Sequence, residues 1–362
     1  MRLGQVSLRT TTDAVTHFSK IAYGRRDVRP LWFSVPKEYG DLVSSRSDAA
    51  LLASLIPAMR RGGDLHVRGT LTDEFYYAVS GEFQEMLLVL FSKLKRVRIL
   101  PEDLAPVEGG AQGVATGFSA GVDSWQVLAE YFVRDAVPDS LRVTHLLYNN
   151  LGSHGRGGDE VFQRRLASIR QAGAELGLPV IPVDTNMADL YPKMKFSRTH
   201  TPRNASVALL LSAGVRRFYY ASAYHLEHVA GKSLGANGGI AKADPITLPA
   251  LSTTGMQLQS VGGPYTRVEK TLQMAEVEPS HRYLDVCIAP RGEHRNCTRC
   301  WKCRRTALTL DIAGVLPQYE SVFDLQYWGR SRRLAWEWAK QEKDSLLEQE
   351  VVAFGKEHDY VP

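Results

Sequence analysis

What most constrains this 362-residue chain is a strand-then-helix rhythm that sets in after residue 112. Residues 114–118, 143–148, 180–183 and 217–221 are short apolar runs of the kind that form buried strands. Between them, residues 123–134, 160–176 and 205–213 read as helices. Parallel neighbours must be joined by crossovers of about this length, so the rhythm predicts a doubly wound, parallel α/β sheet.

Upstream the pattern is looser. Residues 31–35 read as a strand ended by Pro36, and Asp48 as the cap of a helix running towards Arg60 that Pro57 kinks or shortens. Residues 65–71 alternate as a second strand. Thr72 and Asp73 start a further helix carrying Phe75, Leu87, Leu88 and Phe91, and residues 96–100 form a third strand ended by Pro101. The Pro- and Gly-rich stretch 106–113 has no periodicity and reads as a linker. The expected organisation is a small α/β or α+β unit over 1–110, a doubly wound α/β unit over 111–320, and a helical tail over 321–362 in which Trp328, Trp336 and Trp338 pack. Hydrophobic residues at 44% suffice for sizeable cores. The formal charge of +5 permits a polyanionic partner without requiring one. No apolar run reaches the roughly 18 residues of a membrane span, and the first twenty residues lack a signal-like stretch, so a cytoplasmic protein is expected.

The turn Phe118-Ser119-Ala120-Gly121-Val122-Asp123-Ser124 lies where the first strand of the rhythm hands over to a helix. Small residues there let backbone N–H groups approach a phosphate, and a helix N-terminus adds partial positive charge. Ser119 and Ser124 add hydroxyls; Asp123 is suited to capping the helix or holding Mg²⁺. Ser119 to Ser124 resembles the Ser-Gly-Gly-x-Asp-Ser signature of PP-loop ATP pyrophosphatases. The resemblance implies an adenine nucleotide alpha hydrolase-like fold, ATP and Mg²⁺ bound by residues 118–124, and cleavage between the α and β phosphates. Ala120 replaces the first of the signature's two glycines, which a backbone with φ below zero would tolerate. Gly231-Lys232-Ser233 imitates the end of a Walker A loop, but Leu226 stands where its first glycine belongs.

All four cysteines, Cys287, Cys297, Cys300 and Cys303, fall in one short stretch. Three at two-residue gaps with a fourth upstream suit a closed, structural Zn²⁺ site; an iron–sulfur cluster or packed core thiols are the competing readings. Arg295, Arg299, Lys302, Arg304 and Arg305 would offset the charge of four thiolates. A PP-loop followed by such a zinc knuckle, with Thr201-Pro202-Arg203-Asn204 between them, resembles the 7-cyano-7-deazaguanine synthase family over residues 112–306. That resemblance implies Asp123, Ser124 and Arg203 as catalytic residues and Asn204 beside the nucleotide. It also implies a ligase that adenylates a small-molecule carboxylate, 7-carboxy-7-deazaguanine or a relative, for attack by ammonia or an amine. Amide and nitrile products both remain open. The family's Gln-Arg-His is replaced by Asn149-Asn150-Leu151-Gly152-Ser153-His154, and its Tyr-Pro-Asp-Cys-Arg by Ser222-Ala223-Tyr224-His225.

Two other classes fit the motifs, a PP-loop tRNA-modifying enzyme and a non-catalytic nucleotide-binding scaffold. Arg203 offers a bidentate fork for phosphate or carboxylate, or else a solvated helix end. His225 and His228 read as ligands or proton carriers, or as helix-end decoration. Lys242, Asp244 and Lys270 are candidates by location alone. No membrane and no nucleic acid is expected as partner; the N-terminal unit leaves room for a protein partner, and a homodimer is compatible.

Overall fold

The computed structural model describes residues 1–24, 26–107, 109–153, 158–230, 240–288 and 294–362. Its strands are β1 (Arg2–Leu3), β2 (Ser7–Thr10), β3 (Ala14–Ala22), β4 (Val28–Pro36), β5 (Leu65–Thr72), β6 (Ile99–Ala105), β7 (Gly113–Gly117), β8 (His145–Asn150), β9 (Val180–Thr185), β10 (Val215–Ala221) and β11 (Gln257–Val261). All belong to one 11-stranded sheet in the order β11-β10-β7-β8-β9-β4-β3-β1-β5-β6, with β2 beside β3. Neighbours from β11 to β9 are parallel, as the crossover argument requires. At β9 the sheet continues into the N-terminal strands by an antiparallel pair, Phe33 opposite Thr185 and Ser34 opposite Asp184. Residues on either side of the 106–113 stretch therefore share a sheet.

The helices needed below are α1 (Asp48–Arg61), α2 (Asp73–Ser80), α3 (Glu82–Leu90), α4 (Val122–Leu128), α5 (Gly158–Leu176) and α6 (His200–Leu210). α1 is buried from Asp48 to Met59 and shares one hydrophobic core with α6 and β9. A second core joins α4 and α5 to the C-terminal helices Leu325–Gln341 and Leu346–Glu357. Among the described residues no helix is long and apolar enough to cross a membrane.

Several local expectations are corrected by tertiary context. α1 runs through Pro57 without ending, because burial along the helix outweighs one lost hydrogen bond. Ser47, not Asp48, is its N-cap; the Asp48 carboxylate instead accepts the Thr72 N–H at 2.9 Å and its hydroxyl at 2.5 Å. The helix starting at Asp73 breaks at Gly81 into α2 and α3. β6 passes through Pro101, which the sheet tolerates because β6 is an edge strand. The alternation of β3 was hidden because its inward positions, Val15, His17, Ser19 and Ile21, include two polar residues. Each has an internal partner, His17 Nε2 at the Arg46 carbonyl (3.0 Å) and the Ser19 hydroxyl at the Gly4 carbonyl (2.6 Å). α4 gives way at Ala129–Val133 to a π-helical turn.

Candidate functional site

A cavity of about 670 Å³ opens at the carboxyl ends of β7, β8 and β10, where Gly117, Asn149 and Ala221 line it. Crevices of this kind are the usual ligand sites of open α/β sheets.

The turn 118–124 forms one side. The Phe118 N–H donates to the Leu147 carbonyl at 2.8 Å, and its ring packs edge-on against Trp125. Ala120 has φ 57°, whereas Gly121, its neighbour, has an ordinary φ of −83°. The expectation of a negative φ at Ala120 is thus overturned: the left-handed residue of this turn carries a methyl group, at a cost of about 1–2 kcal/mol. Tertiary contact holds it there, since the Ala120 carbonyl accepts the Asp285 N–H at 2.8 Å and the methyl is buried. The buried Ser124 hydroxyl donates to the Gly121 carbonyl at 2.9 Å. Asp123 does not cap α4, whose N-cap is Gly121. Its carboxylate lies 2.8 Å from Arg267 and 4.0 Å from Lys270.

Those partners come from the helix Arg267–Ala275, opened by a Thr266–Glu269 capping box. Residues three apart share a helix face, so Arg267 and Lys270 both turn towards Asp123. Lys270 is fully buried, donates to the Ser222 carbonyl at 2.8 Å, and is pulled down to about pKa 8 by that burial. Lys302 and Arg305, again three apart, line the cavity from the helix Trp301–Ile312. Burial lowers the Lys302 pKa and brings Arg305 down to about 10, which leaves the guanidinium charged. Arg305 is held by a buried ion pair to Glu348 at 2.8 Å, and the Arg267 N–H donates to Glu350 at 2.5 Å. The C-terminal helix Leu346–Glu357 is therefore a support for the site as well as a packing element. Arg165 of α5 adds a cation, paired to Asp285 at 3.0 Å and donating to the Cys287 carbonyl at 2.8 Å.

The other end of the cavity is polar and uncharged. Asn149 donates to Asn204 at 3.1 Å, and His200 meets the Tyr220 hydroxyl at 2.6 Å. Behind them Thr201 donates to Asp244 at 2.6 Å. Burial pushes Asp244 up to about pKa 8 and His200 down to about 4, so both are mostly neutral at pH 7.

Arg203, expected to be catalytic, is not in the cavity wall. It is buried, donates to the Leu151 carbonyl at 2.8 Å, and lays its guanidinium over the Tyr191 ring at 3.9 Å. α6 begins at His200, so Arg203 lies inside the helix rather than before it, and it fastens the chain leaving β8. His225 and His228 also stay outside the wall; His228 lies 3.8 Å from Glu350. Lys242 points over the Tyr224 ring. His154 and Gly231-Lys232-Ser233 lie outside the described residues.

The four cysteine sulfurs lie within 4.8 Å of one another and could hold a metal ion such as zinc. Cys303 is 3.9 Å from Cys297 and 3.4 Å from Cys300, close to the about 3.8 Å edge of a tetrahedron with 2.3 Å Zn–S bonds. The Cys300 N–H points at the Cys297 sulfur, 3.2 Å away. Cys287 also lines the cavity, and Cys300 is the N-cap of the helix that carries Lys302 and Arg305. Two residues read from sequence as counter-charges for the thiolates thus also line the cavity.

Sequence reasoning missed Arg267, Asp285, Glu348, His200 and Tyr220. The Thr266-x-x-Glu269 spacing was the signal that would have found the helix bearing Arg267. No protein-family description, curated protein or solved structure matches the chain.

Proposed function

We propose that the chain is an ATP-dependent synthetase that adenylates a carboxylate and passes the acyl group to a nitrogen nucleophile. The observation that carries this reading is the convergence of Arg267, Lys302 and Arg305 with the turn 118–124 on one cavity. The cations Arg165, Arg267, Lys302 and Arg305 outnumber the carboxylates Asp123 and Asp285 in the cavity wall, an excess that suits an incoming polyanion, and a triphosphate supplies that charge. In this reading the β and γ phosphates lie against the 118–124 turn, Lys302 and Arg305. Mg²⁺ would come with the triphosphate, held on the protein side by Asp123, and would neutralise phosphate charge. Zn²⁺ held by Cys287, Cys297, Cys300 and Cys303 would be structural, since four sulfurs leave no open position.

A substrate carboxylate oxygen attacks the α phosphorus, and the bond to pyrophosphate breaks with its electron pair leaving on pyrophosphate. The amine nitrogen then forms a bond to the acyl carbon, AMP departs, and the surplus proton passes to solvent. The enzyme's contribution is orientation and charge stabilisation rather than a covalent intermediate on the chain. The neutral end, with Asn149, Asn204, His200 and Tyr220, offers donors and acceptors to an uncharged heterocycle bearing the carboxylate, which fits the deazaguanine-like substrate implied by the sequence resemblance.

The test is product analysis with ATP, Mg²⁺, 7-carboxy-7-deazaguanine and ammonia. AMP and pyrophosphate formed only with the deazapurine present support the full reading. AMP formed with another carboxylate supports the synthetase and replaces the substrate. An enzyme that binds no ATP by calorimetry, or one whose Arg267→Met/Lys302→Met variant binds it equally well, overturns it.

A further inference from the structure

The N-terminal strands present a second surface, on the sheet face opposite the one that α1 covers. Strand register sorts their side chains. Val15, His17, Ser19 and Ile21 of β3 point into the core, so Thr16, Phe18, Lys20 and Ala22 point outward. Directly opposed residues share a face. Trp32 of β4 lies opposite Phe18, Arg9 of β2 opposite Thr16, and Arg2 of β1 opposite both Ala22 and His66. Arg68, two residues beyond His66 on β5, follows on the same side.

Arg2, Lys20, His66 and Arg68 are exposed and line a groove of about 800 Å³. Among the described residues none of Arg2, Lys20 or Arg68 is ion-paired. The acid in the groove, Glu102, accepts the Gly69 N–H at 2.8 Å. Next to these cations the Arg9 guanidinium lies over the Phe18 ring, 3.5 Å from its centroid, with Trp32 alongside.

Unpaired cations call for an anion, and a row of them across three strands calls for a polymeric one. Flat aromatic and guanidinium planes beside the cations call for flat rings to stack on. An acidic peptide satisfies only the first demand, and a duplex hides its base faces. We propose that this groove and the strand face beside it bind single-stranded nucleic acid, with phosphates at Arg2, Lys20 and Arg68 in the groove and bases stacked on Trp32 and on the Arg9–Phe18 pair next to it. The mild overall charge concealed this surface, because a net charge averages over all faces of the molecule.

The groove also lies at the cavity's end of the sheet. Phe33 pairs with Thr185, the last residue of β9, so Val28 to Trp32, and with them Lys20 and Arg2, extend past that strand's carboxyl end. From β8 to β1 is four strand spacings, about 19 Å. The proposal stands without the adenylation reading, and its test keeps the two apart.

The experiment is fluorescence anisotropy of labelled twelve-nucleotide single strands, RNA and DNA, with the full chain at 50 and 200 mM salt. Micromolar binding that weakens about 20-fold between those salts is expected if three phosphates are engaged. Lys20→Glu/Arg68→Glu should lose at least tenfold and flatten the salt dependence, with ATP binding in the cavity unchanged. Trp32→Ala should lose about tenfold and leave the salt slope intact, which separates stacking from charge. Tighter RNA than DNA binding assigns the source as RNA, and equal binding assigns single strands of either kind. No binding, equal competition by a duplex, or charge-reversed variants that bind like the unaltered chain would overturn the proposal.

Discussion

The two ends of the cavity are built on opposite electrostatic plans. At one end Arg267 and Lys270 pair with Asp123, and Arg305 pairs with Glu348, with Lys302 beside them in the cavity wall. At the other, His200, Tyr220, Thr201 and Asp244 are equally buried but shed charge and are held by hydrogen bonds. Burial is common to both, so the difference lies in the partners. A buried group with an opposite charge nearby stays ionised, and one with only neutral partners titrates to neutrality. The result sorts ligand chemistry along the cavity, anion at one end and uncharged ring at the other.

The comparison breaks most severely at Glu348. Glu348→Ala leaves Arg305 charged and unpaired in the interior, which should cost about 3–5 kcal/mol in urea unfolding. The paired replacement Arg305→Met/Glu348→Leu should recover stability to within about 1 kcal/mol yet still bind ATP poorly. If it binds ATP normally, Arg305 is a structural cation and the charged end extends less far than proposed.

Metal removal comes next. Cys300 caps the helix that carries Lys302 and Arg305, so Cys297→Ser or chelation should loosen both cations together. Elemental analysis should find one zinc per chain before treatment. ATP affinity should then fall about tenfold or more by calorimetry, in proportion to the metal lost. Unchanged affinity in the metal-free chain would uncouple the cluster from the cavity.

The neutral end is tested by pH. The folded pKa of Asp244 is raised to about 8 from an ordinary value of 3.8, so the folded state holds a proton that the unfolded state has released. Its stability contribution is complete below about pH 4 and is lost as pH rises through 8. His200, lowered from 6.5 to about 4, works in the opposite sense, adding stability as pH rises from 4 to 6.5. Lys270, lowered from 10.5 to about 8, adds stability only above pH 8. In the window from about 6.5 to 7.5 Asp244 is therefore the largest of these three contributions. Unfolding free energy should decline across it in the unaltered chain and decline less in Asp244→Asn. Equal slopes would mean that Asp244 is ionised in the folded state.

The smallest effect is expected at Ala120. Replacement by glycine relieves the left-handed strain but removes a buried methyl group and loosens the unfolded chain, so stability should change by less than about 1 kcal/mol. A larger loss would show that the methyl is needed to hold the turn against Asp285.

Legibility differed between kinds of residue. The strands from 113 to 221 and the metal-competent cysteines were readable because their signals are local: apolar runs between turn residues, and thiols at two-residue gaps. The cavity wall was less so. Arg203 looked functional because it is an arginine in a suggestive segment, and only the buried stack on Tyr191 shows where its guanidinium went. Arg267 and Glu348 are ordinary charged residues far from the turn at 118–124 in sequence, and nothing near them announces a site. The N-terminal extension of the sheet was hidden by His17 and Ser19 in core positions of β3.

The amino-acid sequence by itself determined the parallel α/β character of the middle of the chain, the strand-to-helix turn at 118–124 and the metal-competent cluster. Each depends on contacts or geometry within a few residues or on a simple period. The tertiary structure alone decided which charges meet in the cavity, which buried acids and bases are neutral, and that the first hundred residues prolong the same sheet. Those outcomes are set by burial and by partners about 150 residues away, such as Asp123 and Lys270 or Phe33 and Thr185, and electrostatic free energy depends on distance in space rather than along the chain.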